Sequence, residues 1–71
     1  MTFFEWMKLQ VKRDDPIGDL AGDMVTEARL DNLTIQTVDE WKQHIWFKTH
    51  DRDIRAAFRL ARDEYNAQLN P

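Results

Sequence analysis

The chain contains no cysteine and no serine, only two glycines and two prolines, and no apolar run longer than three residues. Each shortage excludes something. Without cysteine there are no disulfides, no thiolate metal sites and no cysteine nucleophiles. Without serine, a nucleophile would have to come from Thr, Tyr, Lys or a carboxylate, and with His44 and His50 as the only imidazoles the usual hydrolase constellations are missing. Gly18 and Gly22 stand four apart inside a helical pattern, so they assemble no phosphate-cradling loop, and nucleotide-binding enzymes fall away. The short apolar runs leave nothing to span a membrane. The segment MTFFEWMKLQ has neither the basic start nor the unbroken apolar stretch of a signal peptide, so a cytoplasmic location is expected. No cofactor and no metal are expected.

What is present is the composition of a small globular domain. Seventy-one residues with 42% hydrophobic and 32% charged side chains allow one domain, residues 1–71. Such a chain buries only about 60% of its unfolded surface, which leaves little room for an enclosed active site. The net charge of −3 is unevenly placed. Residues 1–13 hold three basic and one acidic residue, residues 14–31 six acidic and one basic, and residues 32–71 six of each. An acidic protein makes a poor general nucleic-acid binder, although one basic face can serve locally.

The stretch from Asp15 to Arg29 organises the rest. Asp15 can cap a helix and Pro16 suits its first position, where the missing N–H costs nothing. Ile17, Leu20, Ala21, Met24, Val25 and Ala28 recur at helical spacing to make an apolar face, with Asp19, Asp23 and Glu27 opposite. Before it, Thr2 and Glu5 form a capping box that opens a helix with Phe3, Phe4, Met7 and Val11 inward, widened by Trp6, and Lys8 and Lys12 outward. Lys12 and Arg13 would close that helix at its negative end. Asp31-Asn32 stops the second helix near Leu30, and Leu33 to Gln36 reads as an extended connector whose Leu33 and Ile35 tuck into the core. Thr37 and Glu40 repeat the capping box and open a third helix to Lys48, with Val38, Trp41 and Ile45 inward. Trp46 and Phe47 are more aromatic surface than one stripe can hide, so one of the two rings should lie near solvent. Asp51 caps a fourth helix from Arg52 to about Leu69, with Ile54, Ala57, Phe58, Ala61, Tyr65 and Leu69 buried. The fold class expected is all-α, a compact bundle of four helices, or five.

These residues resemble the YozE-like family of short bacterial proteins with a sterile-alpha-motif-like (SAM-like) fold. The likeness rests on Phe3-Phe4, on Asp15-Pro16-Ile17-Gly18-Asp19-Leu20-Ala21, on the aromatic third helix around Trp41 and on Tyr65, and it covers nearly the whole chain. Leu33-Thr34 stands where the family usually has Phe-Pro, and Arg62 where it tends to have tryptophan. The resemblance implies a small cytoplasmic helical bundle. It implies no activity, because the family has no established biochemical function; SAM-like folds most often serve as interaction modules, which is analogy from fold.

Two surfaces carry the functional expectation. Asp15, Asp19, Asp23 and Glu27 follow at i+4 steps, a row of like charges that costs a helix about 0.2–0.5 kcal/mol per pair and reads either as a solvated face or as a binding surface. One helix offers calcium only a line of single carboxylate ligands, so a divalent site would need a partner from another element. His44 and His50 show no acidic or cysteine companions at metal spacing and read as ordinary surface or rim histidines. Arg52, Arg55, Arg59 and Arg62 share an arc of roughly 80° on the last helix. They read either as internally paired, Asp51 with Arg55 and Arg59 with Asp63, or as a stripe for a partner's carboxylates or phosphates. Of the three tryptophans, Trp46 is the candidate contact residue. The expected function is a non-enzymatic module that binds a protein partner, or its own copies, through Arg52, Arg55, Arg59, Arg62 and Trp46, with Asp19, Asp23 and Glu27 as a complementary face. Nucleic-acid binding by the arginine stripe is the alternative.

Overall fold

In a computed structural model, described over residues 1–69, four helices follow one another: α1 (Phe3–Lys8), α2 (Pro16–Leu30), α3 (Val38–Lys48) and α4 (Arg52–Leu69). Their starts are chemically explicit. Thr2 and Thr37 each accept from the third helical N–H while Glu5 and Glu40 reach back to the cap, so both capping boxes are closed. Asp15 accepts from the Gly18 N–H at 2.9 Å ahead of Pro16. Asp51 Oδ1 accepts from the N–H groups of Asp53 and Ile54 at 2.8 and 3.2 Å.

The second helix stops as the Asp31-Asn32 signal implies. Asn32 takes a left-handed conformation with φ of 54°, and the Leu33 N–H returns to the Ala28 carbonyl at 2.9 Å. That closes the end with a Schellman-type bond and turns Leu33 toward the core. Residues 33–36 run without regular structure and are stitched down by the Phe4 N–H donating to the Gln36 carbonyl at 3.1 Å and the Trp41 indole N–H donating to Ile35 at 3.1 Å.

The first helix is shorter than its pattern implies. It ends at Lys8, where Leu9 and Gln10 make tight i−3 bonds to Trp6 and Met7, and the Gln10 side chain donates to the Trp6 carbonyl at 3.0 Å. Lys12 and Arg13 therefore close no helix, and Val11 is exposed rather than inward. The turn delivers Arg13 to Asp15 at 2.7 Å and to Glu64 at 3.0 Å, tying the α1–α2 connection to the far end of α4. Leu69, expected inward, is exposed in the last turn of α4.

The core gathers Phe3, Phe4, Trp6, Met7, Ile17, Leu20, Ala21, Met24, Trp41, Ile45, Ala57, Phe58 and Ala61. Phe3 is its hub, with rings of Phe58 and Tyr65 set edge-on at 5.5 and 5.4 Å. Helices α2 and α4 form the principal packed pair, and α1 and α3 close on α4. The radius of gyration, 11.2 Å, matches the roughly 11 Å of a compact chain of this length.

Candidate functional site

On α4 the four arginines start as one stripe and end with four different environments. Arg55 turns inward. One of its terminal nitrogens donates to the carbonyl oxygens of Trp46 and Thr49 at 3.2 and 3.0 Å and lies 3.2 Å from His50 Nδ1, and the guanidinium stacks 4.9 Å above the Trp46 ring. Its Nε is enclosed without a hydrogen-bond partner. Arg59 lies over the same indole at 5.5 Å but stays exposed. Arg62 pairs with its neighbour Asp63 at 3.2 Å. Arg52 is exposed and makes no ion pair among the described residues.

The internal pairing expected for this helix does not form. Asp51 is spent on the helix cap, so it does not take Arg55, and Asp63 is taken by Arg62, so it does not take Arg59. Trp46, offered as a contact residue, is half-buried against Phe58 at 5.5 Å with Arg55, Arg59 and Lys42 around its ring. Phe47 is the ring left in solvent, 88% exposed.

The acid row has a different fate. A step of four residues drifts about 40° around a helix, so the row migrates from the solvent side toward the edge of the core. Asp19 and Asp23 stand at the rim of a groove of about 420 Å³ between α2 and α4, lined by Leu20, Ile54 and Ala57 and flanked on the α4 side by Asp53 and the exposed Leu60. A smaller depression of about 180 Å³ shares Leu20, Asp23 and Ile54 and continues the groove to Glu27 and Lys48. Glu27 is thus half-buried rather than opposite the core, and Asp19, Asp23 and Glu27 make one wall of a channel. Asp53 and the exposed Leu60 belong to this site although no motif marks them; Leu60 standing outside the apolar stripe of α4 was the available signal.

Near its end the row meets α3. Glu27 Oε1 lies 3.3 Å from His44 Nε2 and 3.5 Å from Lys48 Nζ, which is also 3.5 Å from Asp31 Oδ2. His44 therefore has the acidic companions that sequence spacing hid, because they come from another helix seventeen and thirteen residues earlier. His50 Nδ1 lies 3.2 Å from an Arg55 terminal nitrogen.

Three carboxylates are held below their ordinary range, all by helix-start chemistry. The Gly18 N–H and then the Arg13 guanidinium lower Asp15, hydrogen bonds from Thr2 lower Glu5, and the Thr37 hydroxyl and backbone lower Glu40. Glu64 and Asp15 in turn raise Arg13. Compared with protein-family models, curated proteins and solved structures, the chain matches none. No helix among the described residues is long and apolar enough to cross a membrane.

Proposed function

We propose that this chain is a non-enzymatic protein-interaction module whose acid-rimmed groove between α2 and α4 takes a basic surface of a second copy. The observation that carries the reading is the groove itself, an apolar lining of Leu20, Ile54 and Ala57 with the exposed Leu60 beside Asp19, Asp23 and Asp53. Such a surface combines area that water leaves readily with charges that select a cationic partner. The chain carries the complementary feature. Arg52 and Arg59 lie on the flank of α4 about 80–120° away from Asp53 and Leu60, so one molecule can use both faces at once. Contacts of that kind are head-to-tail and build rings or filaments. The shortage of nucleophiles favours the same reading, and with it we propose kinship with the YozE-like, SAM-like family and a cytoplasmic setting.

Nucleic-acid binding draws less support. Arg55 is committed to α3 carbonyls and Arg62 to Asp63, which leaves two of the four arginines for phosphates beside an acidic wall.

Sedimentation velocity over a concentration series at low and high salt tests the proposal. Reversible association that weakens with salt is expected, lost in Arg52→Glu/Arg59→Glu and in Asp19→Lys/Asp23→Lys. Each double variant keeps one intact face and carries reversed charge on the other, so mixing the two should restore an association that neither variant shows alone. A monomer at every concentration and salt would rule out the self-contact.

A further inference from the structure

We propose that Glu27 of α2, Asp31 at its C-cap and His44 of α3 form a binding site for a single divalent transition-metal ion of the zinc type, at a place that Lys48 fills when no metal is bound. The donors come from two helices, which supplies the partner element that the acid row lacks by itself. One donor atom from each residue lies within 4.8 Å of the other two. The closest pair, His44 Nε2 and Glu27 Oε1, is 3.3 Å apart. That is about the edge of a tetrahedron drawn around zinc at its usual distance of roughly 2.0–2.2 Å from nitrogen and oxygen ligands. Modest closure by Asp31 completes three protein ligands and leaves a fourth position for water.

The imidazole supplies the independent observation. His44 Nε2 is shut off from solvent and has no hydrogen-bond partner, even though Glu27 lies within ion-pair distance. An enclosed polar atom left without a bond is costly, and a cation between it and the carboxylate satisfies both. The ring is also held in place. Trp41 meets it edge to face at 5.6 Å and 89°, and Trp41 is itself anchored by its N–H to the Ile35 carbonyl. Orientation of a ligating histidine by its surroundings is what a metal site requires.

The electrostatics ask for positive charge. Asp31 is the C-cap of α2, where the helix carbonyls present their negative end, and the two carboxylates share only the Lys48 ammonium, 3.5 Å from each. That side chain is 48% exposed, so it can swing to solvent and give up the position without unpacking the core. One imidazole nitrogen with two carboxylates suits zinc and its neighbours better than calcium or magnesium, which call for a larger set of oxygens.

Titration of the intact chain with zinc chloride, followed by calorimetry, with cobalt(II) absorbance as a second readout of tetrahedral geometry, tests the site. One ion per chain is expected. His44→Gln and Glu27→Gln should each weaken binding at least tenfold, and His50→Gln should leave it unchanged. Lys48→Met should tighten binding by removing the competing cation, a gain that misfolding cannot produce. Failure of the wild type to saturate with millimolar zinc, full binding in His44→Gln, or weaker binding in Lys48→Met would each overturn the proposal.

Discussion

The guanidinium of Arg55 lies 4.9 Å above the Trp46 indole and donates to the carbonyl oxygen of that same residue at 3.2 Å. A single side chain of α4 thereby satisfies carbonyls at the end of α3, which have no partners within their own helix, and covers its half-buried aromatic ring. The arginine is structural, and substitutions should show it. Arg55→Ala should cost about 1–3 kcal/mol through lost hydrogen bonds and the lost cation–π contact, whereas Arg52→Ala should stay within about 0.5 kcal/mol of wild type. Urea denaturation of the two variants checks the contrast.

The two glycines of α2 should respond in opposite directions. A Cβ on Gly18 would overlap the backbone carbonyl oxygen of Arg13, while a Cβ on Gly22 would meet nothing within 4 Å. Gly18→Ala should destabilise by about 1–3 kcal/mol, as overpacking against backbone does. Gly22→Ala should stabilise by about 0.5–1 kcal/mol, since alanine removes only the entropic cost of glycine in a helix. Thermal melts of both variants decide it.

Acid should weaken the fold through its helix starts. Asp15, Glu5 and Glu40 all have folded pKa values below their ordinary ones, so the folded state binds fewer protons than the unfolded chain. Their contribution is complete above the ordinary carboxylate range near pH 4 and is lost as pH falls through the depressed values. Asp15→Asn keeps a capping oxygen but removes the titration, so its stability should depend less on pH below about 4 than that of the wild type. Denaturation curves measured between neutral and acidic pH give the slope.

Met1 is tied to α4 through Tyr65, whose hydroxyl donates to the Met1 carbonyl at 2.8 Å while its ring packs on Phe3 at 5.4 Å and Trp6 at 5.9 Å. Tyr65→Phe should lose about 0.5–1.5 kcal/mol, the net value of one hydrogen bond. Tyr65→Ala should lose considerably more, because it also strips aromatic contacts from the core hub. Equilibrium unfolding separates the two contributions.

Much of this was legible in the order of residues. Thr2 with Glu5, Asp15 with Pro16, Thr37 with Glu40 and Asp51 each contain the whole chemistry of a helix start within four residues, and each start stands where that chemistry puts it. The end of α1 was not, because Gln10 and Arg13 leave helical geometry for partners as distant as Glu64. The arginine stripe was legible as a stripe and not as four separate fates, since spacing along α4 says nothing about which carbonyls α3 leaves beside it.

The sequence by itself determined an all-helical chain, its helix starts and most of the apolar faces, Val11 and Leu69 excepted, because those follow from hydrogen bonds within a turn and from a period of about 3.6 residues. Tertiary structure alone decided that Asp19, Asp23 and Asp53 line one apolar groove, that Arg55 reaches the Trp46 and Thr49 carbonyls, and that His44 stands beside Glu27. Those outcomes depend on how α2, α3 and α4 pack. Each joins residues far apart in the chain, whose mutual distance no local rule specifies.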